Sequence, residues 1–187
     1  VSDIVTDALT GFGLSAKDST HFANILATAS TSANTNVALM GETFKYVAPV
    51  CGSFGYQAED AALAIGLMAN AGIKGSQAGT SLRTALTNLA NPSKNAKEAM
   101  NELGITIDNG TGGVFSFRDV LVQLRQKFSG FGIDVVDATG KTKEYDELIN
   151  ELAKDSDGLS KIQKIQAAST IFGKEAMSGM LAILNTS

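Results

Sequence analysis

The stretch AEDAALAIGLMANAGIKGSQAGTSLRTALTNLANPSKNAKEAMNELG, residues 58–104, decides the fold. Glu59 and Asp60 place negative charge where a helix dipole is positive, and a charge-free apolar run from Ala61 to Ile73 follows. As helix that run reaches only ~20 Å at about 1.5 Å per residue, short of a bilayer core of about 30 Å, so it predicts a buried helix. Gly72 stands where a left-handed residue closes such a helix, and Gly72 with Gly75 allows a tight reversal into the next. Ala78, Leu82, Ala85, Leu86 and Leu89 recur on one face of that second helix. Asn91 and Pro92 predict the cap and first residue of a third, with Ala96, Met100 and Leu103 inward and Gly104 at its end. The short connections favour antiparallel neighbours.

Toward the N-terminus, Ser15 and Asp18 have capping-box spacing, and Phe22, Ile25, Leu26 and Ala29 form one apolar stripe that residues 30–36 end. Met40, Phe44 and Val47 predict a further helix stopping near the residue before Pro49, with Cys51–Gly55 as loop. Toward the C-terminus, Ile162, Ile165, Ser169 and Phe172 share a face, Gly173 interrupts, and Met177, Met180, Leu181 and Leu184 form the next stripe.

Between these helical parts, LGITIDNGTGGVFSFRDVLVQL from Leu103 and FGIDVVDATGKTKEYDELINEL from Phe131 align at an offset of 28 residues. Gly104 matches Gly132, Ile105 matches Ile133, Gly112 matches Gly140, Phe117 matches Tyr145, Asp119 matches Glu147 and Leu124 matches Leu152. Each copy predicts a short strand, a glycine turn and a helix. Ile105–Asp108 and Ile133–Val136 are expected to pair as a small two-stranded β element, since buried strand edges need partners. Two copies are too few for a solenoid, which needs about three repeats. The expectation is a mainly α, bundle-like domain of seven or eight helices: a helical region 1–104, duplicated units 105–157 and a helical pair 158–187, in one continuous domain.

The chain has 187 residues, 44% apolar and 18% charged, which excludes bulk disorder. Fifteen Lys and Arg against nineteen Asp and Glu, a net charge of -4, offer no cationic excess for a nucleic-acid backbone. One cysteine cannot form an internal disulfide, and one histidine leaves a metal few ligands. The chain starts at Val1 without a basic, apolar and small-residue leader pattern, and is read as a fragment. His21 reads as a partly exposed helix residue, and Cys51 has no adjacent base to activate it. Asp134, Asp137 and Thr139 before Gly140 lack the alternating oxygens and terminal Glu of a calcium loop, so a plain turn is the simpler account. Glu144, Asp146, Glu147 and Glu151 with interleaved lysines read as a solvated face. No cofactor, metal or catalytic set is expected.

NAGIKGSQAGTSLRTALTNLANPSKNAKEAMNELGI, from Asn70, and IFGKEAMSGMLAIL, from Ile171, resemble the core region of phage tail tape measure proteins, as does FKYVAPV from Phe44. The similarity runs from about Leu14 to Leu184. It departs from the family pattern in carrying the strand-turn-helix unit twice. The motif residues Gly72, Gly75, Ala78, Gly79, Thr80, Leu82, Arg83, Phe172 and Gly173 have packing roles on this reading. Arg83 either bonds an internal carboxylate such as Glu59 or Asp60, which is favoured, or contacts a partner. The resemblance implies a non-enzymatic structural protein of the tail lumen, assembled in the host cytoplasm, acting in tail assembly and length determination. It implies contacts with its own copies and with tail tube, chaperone and baseplate proteins, no direct nucleic-acid contact, and leaves membrane contact open. Met177, Met180, Leu181 and Leu184 are candidates for self-association, with burial in the domain's own core the equal alternative. A cell-wall hydrolase or membrane-active segment is the alternative class.

Overall fold

Several helix ends follow from local chemistry. The computed structural model describes residues 2–12, 16–107, 116–129 and 133–184. Ten α-helices form there: α1 Ser2–Phe12, α2 Ser19–Ser32, α3 Val37–Phe54, α4 Ala58–Asn70, α5 Gly75–Ala90, α6 Lys94–Leu103, α7 Phe117–Phe128, α8 Tyr145–Leu152, α9 Gly158–Phe172 and α10 Lys174–Leu184. The Asn36 side chain accepts from the Leu39 N–H at the start of α3, and the Ser116 hydroxyl accepts from Asp119 at the start of α7. Glu144 and Glu147 make a reciprocal capping box on α8. Gly104 ends α6 as expected, at φ +75°.

Two helix boundaries differ from the sequence expectation, and one helix is unexpected. Helix α3 runs through Pro49 to Phe54, where left-handed Gly55 (φ +74°) stops it. Proline removes one N–H, costing about 3 kcal/mol in a helix interior, but tertiary packing of α1 outweighs it. A Cβ on Gly11 would lie 2.7 Å from Ala48 Cβ, so the two backbones approach closely beside the proline. Helix α6 starts at Lys94 rather than Pro92, because the Ser93 hydroxyl accepts from the Ala96 N–H. No helix is read from the sequence before Ser15, yet α1 is there, with Phe12 against Phe22 and Phe44 at ring separations of 5.9 and 5.8 Å. Ser15 itself lies outside the described residues, and α2 begins after Asp18 without a side-chain cap.

The expected two-stranded β element is not formed. Among the described residues there is no strand, only an isolated antiparallel bridge between Val136 and Thr142. In each repeat unit the extended segment finds hydrogen-bond partners inside the same unit. In the first, the Gln123 side chain of α7 accepts from the Thr106 N–H at 2.7 Å and donates to the Thr106 carbonyl at 2.8 Å, as a neighbouring strand would. In the second, a tight turn returns the chain so that Asp137 N–H donates to the Lys141 carbonyl and Lys143 N–H to Val135, both at 2.8 Å. Asp108 and Gly112 of the first unit and Gly132 of the second lie outside the described residues. The duplication survives at the level of helices: Ser116 caps α7 and Glu144 caps α8, again 28 residues apart, and Ile105 and Ile133 are both buried.

One apolar cluster runs from Ala8 to Leu184. Helix α5 packs between α3 and α10, and α10 also meets α4, α7, α8 and α9. Helix α2 lies on α4, and α1 on α3.

Candidate functional site

The motif residues converge on α5 and its crossings. The α4–α5 reversal uses Gly72 at φ +92° and Gly75 at φ +61°, conformations that suit glycine. It is tied to α3 where the buried Thr43 hydroxyl donates to the Gly75 carbonyl at 2.8 Å. Ala78 and Leu82 are fully buried, and Thr80 is half-buried. At Gly79 a Cβ would sit 2.7 Å from Cδ2 of Tyr46 and 2.9 Å from its Cβ, which sets how close α5 comes to α3. On the opposite side, a Cβ on Gly179 of α10 would lie 2.7 Å from Ser81 Cβ. Small residues at both crossings make α5 the filling of a tight three-helix layer.

Phe172 is fully buried and Gly173 has φ +90° at the α9–α10 joint. The Asn88 side-chain amide of α5 donates to the Phe172 carbonyl, pinning this joint to the AGTSLR helix. Asn88 carries no distinctive sequence signal: with Thr87 it makes a pair of polar residues between the buried Leu86 and Leu89. A second tie comes from the buried Ser178 hydroxyl, which donates to the Lys143 carbonyl of the second repeat unit. Lys143 itself contacts Glu151 at 3.1 Å and Asp134 at 3.9 Å. Its ammonium pKa is raised above the usual lysine value, first by the hydrogen bond it donates to Glu151.

Arg83 does not bond Glu59 or Asp60. Its exposed guanidinium lies 5.4 Å from the centroid of the Tyr46 ring. The two carboxylates have other neighbours: Glu59 takes His21 at 2.8 Å, and Asp60 lies 3.7 Å from Arg118 Nε. The His21 hydrogen bond holds the Glu59 carboxyl below its usual range. His21 is an exposed helix residue, its side chain 71% accessible. Met177, Met180, Leu181 and Leu184 all have 0% exposure. They fill this domain's core, so the stripe presents no surface to another chain.

Cys51 is fully buried, and its thiol is pushed up to about 12, first by burial and then by the charge of Asp60. Asp137 accepts from Thr139 N–H at 2.8 Å, the Thr139 hydroxyl at 2.6 Å and Lys141 N–H at 3.0 Å, a closed turn that uses the carboxylate internally. Those donors lower its pKa, the Thr139 hydroxyl most. Among the described residues no group of three or more His, Cys, Asp and Glu could hold a metal ion, and no helix is long and apolar enough to cross a membrane.

Comparison with known proteins fits this architecture of packing residues. A family model described as phage-related minor tail protein matches residues 1–173. The tape measure protein of Pneumococcus phage Dp-1 is 34% identical over 184 residues, 98% of this chain and 14% of the relative. A probable tape measure protein of Escherichia phage P2 is 24% identical over 173 residues, 92% of this chain and 18% of the relative. The chain therefore spans less than a fifth of either relative. No solved structure matches.

Proposed function

The chain belongs to the phage-related minor tail protein family, and from that premise we propose that it is the folded core region of a tail tape measure protein. In this reading it acts in tail assembly and tail length determination, within the tail lumen, after synthesis in the host cytoplasm. The observation that carries it is the similarity to a tape measure protein over 98% of the chain. A ruler measures through the extended span of its whole chain. A domain whose apolar residues gather in one cluster from Ala8 to Leu184 adds little to that span, so this region anchors or organises the measuring segments. Its partners are its own copies and other tail proteins: tube, chaperone and baseplate.

The role is structural, not enzymatic. Supporting it, motif glycines sit at helix crossings and joints, Gly79 against Tyr46 of α3 and Gly173 at the joint that Asn88 pins. The test is Gly79→Phe in the phage or prophage that encodes the chain, with particles viewed by electron microscopy. Tails absent or few are expected. Normal numbers of tails of normal length would overturn the assembly role, and peptidoglycan clearing by the purified chain in a zymogram would overturn the structural one.

A further inference from the structure

The sequence of α2, Ser19–Ser32, supports a helix weakly. Seven of its fourteen residues are Ser, Thr or Asn, whose side chains compete for the backbone. It has no Asp, Glu, Lys or Arg, so no ion pair runs along its face. The hydroxyls of Ser30 and Thr31 bond back to the carbonyls of Leu26 and Thr28, which weakens a helix slightly. Packing therefore holds α2, and that packing is one-sided. Phe22 and Leu26 are its two buried residues, against nine of thirteen in α4 and nine of eleven in α10. The Phe22 ring meets Phe12 and Phe44 at 5.9 and 5.3 Å. Toward α4 there is instead an open cleft of about 540 Å³, with Ile25, Ala29 and Ala33 on one wall and Ala62, Gly66 and Leu67 on the other. Two exposed hydrogen bonds bridge its ends, His21 to Glu59 at 2.8 Å and Asn34 N–H to Asn70 Oδ1 at 2.9 Å.

We propose that α2 is a strap that opens as a unit, leaving α4 and melting while the rest of the domain stays folded, with the His21–Glu59 and Asn34–Asn70 hydrogen bonds as its latches. Stability is uneven across a folded domain, and segments with few buried apolar contacts and solvent-exposed hydrogen bonds open first. Helix α2 has both features. Fourteen residues of this composition do not hold a helix alone in water, so for α2 leaving the domain and melting are one event. The elements on either side stay anchored, α1 along α3 and α3 along α5. The cleft sets the walls of α2 and α4 apart, so parting them forfeits fewer contacts than parting α5 from α10, where a Cβ on Gly179 would lie 2.7 Å from Ser81 Cβ. The closed domain conceals the apolar face of α4 at Ala62, Gly66 and Leu67, and the open one presents it.

Native-state hydrogen exchange of the intact chain tests the proposal. The amides from Ala23 to Ser30 should share one protection, well below that of the slowest amides in α5 and α10. Glu59→Ala and Asn70→Ala each remove one latch from the α4 side, at exposed positions that leave α2 itself unchanged. Each should speed exchange across α2 roughly threefold to tenfold, the effect of one net hydrogen bond. Gln123→Ala on α7 breaks a clamp that is intact whether or not α2 is open. It should speed the slowest amides of α5 and α10 and leave those of α2 as they are. If α2 exchanges as slowly as α5 and α10, and quickens with them in Gln123→Ala, it leaves only when the whole domain unfolds, and the strap is overturned. Fast exchange confined to the end residues of α2 would show fraying in place of a unit, which overturns it too. So does exchange across α2 that neither Glu59→Ala nor Asn70→Ala changes.

Discussion

At Gly79 the fold has no room for one more carbon. The Tyr46 ring and its Cβ stand 2.7 to 2.9 Å from where a Cβ would be, and that ring also carries the Arg83 guanidinium. Gly79→Val therefore forces α5 away from α3. The expected loss is about 1–3 kcal/mol, the usual cost of overpacking, read as a lower urea midpoint. Arg83→Ala should cost less than about 1 kcal/mol in the same experiment, because an exposed cation over a ring contributes little. A larger loss for Arg83 than for Gly79 would contradict the packing account of the motif. The small residues at 78 and 79 were legible in the sequence, since smallness on a helix face signals close approach. The partner of Arg83 was not. Glu59 and Asp60 precede it on the neighbouring helix, but His21 of α2 and Arg118 of α7 reach them first, and no spacing in the sequence brings those elements together.

Single elements show where local signals suffice and where tertiary contacts decide. The periodic helices from Ala58 to Leu103 follow the sequence within a few residues, because apolar spacing, Gly72 and Gly104 all agree. Pro49 misleads because its local penalty is smaller than the packing of α1 across it. Alternation at Ile105 and Ile107 misleads because an extended segment needs hydrogen-bond partners, not another strand. The Gln123 side chain supplies both, at 2.7 and 2.8 Å. At the equivalent position of the second copy stands Glu151, which cannot donate and binds Lys143 instead, so that unit closes by its own turn. Gln123→Ala should thus cost about 1 kcal/mol, since net hydrogen bonds are each worth about 0.5–1.5 kcal/mol and Thr106 is exposed. It should also speed amide exchange at Thr106 specifically. Unchanged exchange there would mean that the side-chain clamp is not formed in solution.

At the scale of the whole molecule, the C-terminal helix is the hub, although a linear reading divides the chain into 1–104, 105–157 and 158–187. Nine of the eleven residues of α10 are buried, and it packs on α4, α5, α7, α8 and α9. The methionine and leucine stripe alone could not distinguish a core face from a contact face. What distinguishes them is whether other elements cover it, and Ser81 of α5 and Ser178 tied to Lys143 show that they do. Met177, Met180, Leu181, Ile183 and Leu184 are all fully buried. At about 1.5–3 kcal/mol each, their removal forfeits roughly 8–15 kcal/mol, comparable with the entire net stability of a domain, about 5–15 kcal/mol. A fragment of residues 1–104 keeps α1 to α6 but uncovers Met68 and Ser81, which lie against Gly179 of α10. It should therefore show helix in far-UV circular dichroism without a cooperative thermal transition, whereas the intact chain unfolds in one. A sharp, cooperative transition in the fragment would show that the N-terminal helices form an independent domain, and that α10 docks on a finished structure rather than completing it.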